Sequence, residues 1–159
     1  PTMSGENGMI RFAVLLGSNI DPELHIPAAL DRLARRFRIV ARSSFYETPP
    51  VDAPDSPSFI NGAVLLEESG GTFDEIRGDL RKIEAELGRV RTDDPNAPRT
   101  IDLDLIRWGE RWLEPPDRYA HMAVPLAQIF PDDSKLVSAA RSFRNEGSLF
   151  VERNDLLRS

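Results

Sequence analysis

The stretch from Thr72 to Gly88 is a helix whose start, face and end are all written in the sequence, and the rest of the chain has to be arranged around it. Thr72-Phe73-Asp74-Glu75 is a capping box, in which threonine and the glutamate three residues later each satisfy a backbone N–H that a first helical turn leaves without a partner. Phe73, Ile76, Leu80, Ile83 and Leu87 recur at helical spacing on one face, and Gly88 then stops the helix. A helix with one apolar face needs a surface to lie on. The flanking runs Phe59 to Leu66 and Ile101 to Ile106 read as strands that supply it.

Upstream the same alternation repeats. Ile10 to Leu16 reads as a buried strand ended by Gly17-Ser18-Asn19, and Asp21-Pro22 offers an N-cap followed by proline at the first helical position. Leu30, Leu33, Ala34 and Phe37 mark a second amphipathic helix, whose regular part is expected from Pro27 onward. Phe37 to Tyr46 turns toward strand, and 48–57 is a loop with four prolines and two acids, too stiff and polar for core. The order β, α, β, β, α, β predicts a ferredoxin-like core, α+β with a mostly antiparallel sheet. Beyond it, Arg111 to Leu113 is expected as strand or turn, Pro115 to Val124 as a second proline-rich loop, and Leu126 to Phe130 as a short apolar turn. Ser134 is expected to cap a last helix containing Leu136, Val137 and Ala140.

With 159 residues and 40% hydrophobic content, residues 9–159 suffice for one domain with a core, and the polar 1–8 read as a tag remnant or tail. No apolar run reaches the length of a membrane span and no leader precedes the first strand, so a cytoplasmic protein is expected. The absence of cysteine rules out disulfides and thiolate chemistry. A net charge of −6 gives the chain no overall attraction for nucleic acid.

Asp102 and Asp104 stand at alternate positions of an otherwise apolar strand, so both carboxylates share a face, with Cα atoms roughly 7 Å apart, while Ile101, Leu103 and Leu105 fill the other. Two hard oxygen ligands at that reach can hold Mg²⁺, which takes its remaining ligands from water and phosphates. Arg89, Arg91 and Arg99 bracket the preceding loop, where they could clamp phosphate oxygens or equally pair with Glu84, Asp93 and Asp94. The usual nucleotide loops are missing: no glycine-rich turn carries Lys82 or Lys135, and Gly17-Ser18-Asn19 lacks dinucleotide spacing. His25 and His121 are too few for a conventional zinc site, and no Gly-x-Ser-x-Gly elbow occurs.

Five blocks then carry a resemblance: Leu16-Gly17-Ser18-Asn19; 44–50; 59–64; Ile83-Glu84 with 87–91; and 98–104. In that order they resemble the 6-hydroxymethyl-7,8-dihydropterin pyrophosphokinases of folate biosynthesis. The resemblance implies transfer of the β,γ-pyrophosphoryl group of ATP to the hydroxymethyl group of a reduced pterin, releasing AMP. It implies that Asp102 and Asp104 bind two Mg²⁺ and that Arg89 and Arg99 stabilise charge on the moving group. Glu84, Arg91 and Leu105 match nucleotide-side positions. Thr48, Pro49, Val51, Phe59 and Asn61 match the pterin pocket, with Phe59 stacking on the ring and Asn61 bonding its edge. Taken alone, Asn61 reads as a turn cap and Phe59 as core.

The chain departs from the family at three places. Asn96 stands where an aromatic residue is usual, Pro116-Asp117 replaces a Pro-His pair with a shortened segment after it, and His121 falls at the second pterin-stacking phenylalanine, with Tyr119 at a nearby arginine. The expectation is a three-layer αβα pyrophosphokinase, monomeric or a weak homodimer, using ATP, two Mg²⁺ and a reduced pterin, without nucleic acid or membrane. A pterin-binding paralogue altered in catalysis and a non-enzymatic ferredoxin-like module are the alternatives.

Overall fold

The first apolar run becomes a central strand, β1 (Met9–Ser18), buried on both faces, which is why it reads as a continuous hydrophobic stretch rather than an alternating one. In a computed structural model, the structure describes residues 8–48, 57–90, 92–94, 99–146 and 151–157. The other strands are β2 (Arg38–Arg42), β3 (Tyr46–Thr48), β4 (Phe59–Ser69), β5 (Asp102–Trp108), β6 (Arg111–Trp112) and β7 (Val151–Glu152). The helices are α1 (Pro22–Arg36), α2 (Phe73–Glu86), α3 (Ala120–Ile129) and α4 (Ser134–Asn145), and a 3-10 turn covers Asn154–Leu157.

The strands form one sheet in the order β6-β5-β1-β4-β3-β7, and β2 also pairs with β4, above β3. Every pairing is antiparallel. The arrangement β5-β1-β4-β2 is the expected ferredoxin-like core. Ile10, Phe12, Val14 and Leu16 point to the face where α1 and α2 pack through Ile26, Leu33, Ile76 and Leu80. Ala13 and Leu15 point to the other face, under Met122, Leu126 and Leu136 of α3 and α4. The three layers follow.

The register of β1 against β5 shifts between Ala13 and Val14: Leu105 pairs with Val14 and Arg107 with Ala13, so Ile106 is an extra residue. This bulge lets Ile106 and Arg107 both serve the α3 side, where the Arg107 guanidinium lies between the rings of Trp112 and Phe130 at 4.6 and 4.5 Å. Trp108 returns to the opposite face, against Phe12 and Phe73.

Several boundaries differ from the sequence expectations. Half of the capping box of α2 forms as expected: Thr72 Oγ1 accepts from the Glu75 N–H at 3.2 Å, while the Glu75 carboxylate accepts from the Thr72 hydroxyl at 2.9 Å rather than from a backbone N–H. However, α1 begins at Pro22 and passes through Pro27, because the backbone bond Pro27 forgoes would go to the exposed Glu23. Asp21 precedes it in left-handed backbone (φ 44°) without a side-chain cap. Residues 115–119 are loop as expected, but from Ala120 the rest of the expected loop and the turn from Leu126 are instead the single helix α3, with Pro125 inside it. Met122, Ala123, Val124, Pro125 and Leu126 are all buried, so the segment shows no amphipathic period. The cap of α4 is Asp133, accepting from the Leu136 N–H at 3.1 Å, which makes Ser134 the first helical residue.

Candidate active site

The ends of β1, β4 and β5 and the start of α3 enclose a cleft of about 370 Å³. Its floor is the α3-side face of the sheet, reached by Leu15 and Gly17 of β1, Phe59 and Asn61 of β4, and Asp102, Asp104 and Ile106 of β5. Thr48, Arg99, Glu114, Tyr119, His121 and Met122 form the walls. Strand alternation puts both aspartates on this face, as expected, and sends Ile101 and Leu103 into the main core with Leu105 packed beside them.

Gly17 is required here by close approach. A Cβ at this position would lie 2.9 Å from the Asn61 Oδ1, so any side chain would displace the amide that faces the cleft. Two residues on, Asn19 is buried and clamps the loop that enters β5: its Oδ1 accepts from the Arg99 N–H at 2.6 Å and its own N–H donates to the Arg99 carbonyl at 3.1 Å. These contacts explain the Leu16-Gly17-Ser18-Asn19 block in physical terms.

Asp102 is held by two guanidiniums. Arg99 Nη1 donates to Oδ2 at 3.2 Å and Arg89 Nη1 to Oδ1. Arg89 does not line the cleft; it lies behind Asp102, with its side chain 10% exposed, and also donates to Glu84 Oε2 at 3.0 Å. Burial works against the Arg89 charge, but the hydrogen bond and charge of Asp102, then the charges of Glu84 and Asp104, more than offset it and raise its pKa. Glu84 is 2% exposed and accepts from the Leu103 N–H at 2.7 Å, so it ties α2 to the backbone between the two aspartates. The structure thus places Glu84 and Leu105 away from the cleft. Pro49, Val51, Arg91 and Asn96 lie outside the described residues.

Asp104 is open to the cleft yet recessed among its neighbours. Its carboxyl is pushed up to about 7, first by burial, then by the Asp102 charge and hydrogen bond and the charges of Glu84 and Glu114. A carboxylate so crowded by acids fits a cation partner. No group of three or more His, Cys, Asp or Glu able to cage a metal occurs among the described residues. The pair Asp102 and Asp104 is a donor set that suits Mg²⁺, which binds through one or two carboxylates. Opposite, the His121 ring stacks on Tyr119, with centroids 5.6 Å apart and an interplanar angle of 18°, and burial pushes its pKa below the ordinary 6.5.

The profile of the family described as 7,8-dihydro-6-hydroxymethylpterin-pyrophosphokinase (HPPK) matches residues 13–131, a span that contains every residue of the cleft. The chain belongs to the HPPK family. It is 38% identical over 134 residues to the 2-amino-4-hydroxy-6-hydroxymethyldihydropteridine pyrophosphokinase of Pseudomonas aeruginosa, covering 77% of this chain and 82% of the relative. Proteins of the same name from Methylorubrum extorquens (37% over 136 residues; 78% and 85% covered) and Bacillus subtilis (33% over 141; 81% and 83%) are also similar. Several cleft residues, among them Gly17 and Glu114, were not singled out from sequence as site residues. Glu114 is one acid among many beside prolines, and Gly17 was read as a strand end and as part of the Leu16-Gly17-Ser18-Asn19 block, without a role in the cleft.

Proposed function

We propose that the protein transfers pyrophosphate from ATP to the hydroxymethyl group of 6-hydroxymethyl-7,8-dihydropterin, leaving AMP, a step of folate biosynthesis. The observation that carries this reading is one cleft that joins a paired-carboxylate end, with Arg99 beside Asp102 and Asp104, to an aromatic and amide end formed by Phe59, Asn61 and His121. Membership of the HPPK family supports it.

Asp102 and Asp104 would hold Mg²⁺, in our reading two ions, which supply positive charge to the ATP phosphates. Arg99, from the cleft wall, and Arg89, through Asp102, offset negative charge that builds on the transferring group. Phe59 and His121 face the pterin ring from two sides, Asn61 offers its edge both a donor and an acceptor, and Thr48 closes the same end. We assign Pro49 and Val51 to the pterin side on the resemblance alone, and Arg91 likewise to the nucleotide side. Glu84 acts by fixing Arg89 and the backbone of Leu103 rather than by touching nucleotide, and Leu105 contributes from beneath the strand.

We further take residues 9–159 as one domain, supported by the single sheet, working as a monomer or weak homodimer in the cytoplasm. The net charge of −6 supports independence from nucleic acid. Among the described residues no helix is long and apolar enough to cross a membrane. Incubation with ATP, Mg²⁺ and hydroxymethyldihydropterin tests the reading. AMP formed only when pterin is present supports it; pterin binding without turnover would make the protein an altered paralogue, and neither would leave a binding module.

A further inference from the structure

Strand β3 is three residues long, and it brings Thr48 to the cleft. On one side it pairs with β4, Tyr46 against Asn61 and Thr48 against Phe59, so it is registered directly against two other cleft residues. Its other side is covered by β7, where Tyr46 pairs with Glu152 and Glu47 with Val151. The segment 151–157 that supplies this cover lies outside the 13–131 span matched by the family.

The attachment is more than a strand pair. The Arg153 N–H donates to the Phe45 carbonyl at 2.7 Å, and Asn154 Oδ1 accepts from the Phe45 N–H at 3.2 Å. The Arg153 guanidinium donates to Glu47 Oε1 at 2.7 Å and to Glu23 Oε1 of α1 at 3.4 Å, with Asp155 beside it at 3.1 Å. Its hydrogen bonds to the carboxylates of Asp155 and Glu47 raise its pKa. Leu156 anchors the segment by burial in the main core. From within, the Phe45 ring sits on Gly62, where a Cβ would lie 2.5 Å from it, one residue from Asn61.

We propose that segment 151–157 is a strap that positions the pterin wall of the cleft, with Arg153 as its positioning residue acting on Thr48 through Glu47. A three-residue strand has few bonds of its own, so its end is set by what holds its edge. The carboxylate end is built from β5 and Arg99, whereas the strap bonds to β3, to Phe45 and to Glu23 of α1. The inference rests on the function proposed above.

The test compares Arg153→Gln, Glu47→Gln, the double variant and Arg153→Lys with the wild type. Neither Arg153 nor Glu47 lines the cleft. Affinity for hydroxymethyldihydropterin is measured with Mg²⁺ and a non-hydrolysable ATP analogue present, and affinity for the analogue separately. Each glutamine variant is expected to weaken pterin binding roughly five- to tenfold and to leave analogue binding within about twofold. The double variant is no worse than the weaker single, because each single already loses the Arg153–Glu47 ion pair, and Arg153→Lys recovers part of the loss. Wild-type pterin affinity in both single variants overturns the proposal. So does an equal fall in pterin and analogue affinity with a lower melting temperature, which means general loosening. A wild type that binds no pterin overturns the functional reading itself, and the strap's role with it.

Discussion

Asp102 and Asp104 are two residues apart on one face, yet their surroundings give them different chemistry. Asp102 is paired with Arg89 and Arg99, whereas the Asp104 carboxyl is pushed up to about 7 by burial and neighbouring acids. Either change to asparagine is expected to abolish pyrophosphoryl transfer by orders of magnitude while circular dichroism stays native, since neither opens a cavity. Their effects on the metal-free protein should diverge. The folded state binds a proton at Asp104 more tightly than the unfolded chain, whose ordinary value is 3.8, so the Asp104 contribution to stability is lost as pH rises from 3.8 through about 7. Asp104→Asn should therefore raise the unfolding free energy relative to wild type at pH 8 more than at pH 5, by a difference on the order of 1 kcal/mol after allowing for solvent in the cleft. An equal shift at both pH values counts against this. His121 titrates in the other direction. Its lowered pKa keeps it neutral at pH 7, so pterin affinity, measured with Mg²⁺ and an ATP analogue bound, should be level above neutrality and fall only below the ordinary 6.5. His121→Phe should bind as tightly or more tightly and lose that acid limb; a variant matching wild type throughout would place His121 outside the pocket.

Which elements were legible depended on whether their residues faced one environment or two. The helix α2 announced itself because it has a solvent side and a core side, whereas α3, buried nearly all round and containing Pro125, presented an apolar run that read as a turn. Strand β7 left no trace: Val151 and Glu152 are both exposed and join the sheet through backbone bonds, which any sequence can make. The paired aspartates were readable from alternation alone. The pairing of Arg89 with Glu84 was also among the expectations, but the Glu84 bond to the Leu103 N–H was not, because it depends on α2 lying against that backbone, a contact no local pattern encodes. Gly62 of β4 belongs to the same class, being required by the Phe45 ring that crosses it. Gly62→Ala is expected to cost about 1–3 kcal/mol by overpacking, read by denaturant unfolding, and to weaken pterin binding through β3. A stability change under about 0.5 kcal/mol would mean the ring moves aside freely.

For the molecule as a whole, one cleft joins the end that holds Arg99, Asp102 and Asp104 to the end that holds Phe59, Asn61 and His121, so on the proposed function occupancy of one should alter the other. Pterin is expected to bind more tightly once nucleotide and Mg²⁺ are in place, and titration with and without a non-hydrolysable analogue measures the coupling. Equal affinities would mean the two ends are independent. The bulge at Ile106 has a bearing on how such a site can persist. A plain strand can slide along its partner by two residues and keep its faces, but β5 carries its acids and its aromatic anchors in opposite phases on either side of one extra residue. Ile106 thus lets one strand serve a single layer from both of its phases: Asp104 and Arg107, three residues apart, both reach the α3 side, which an unbroken alternation would forbid.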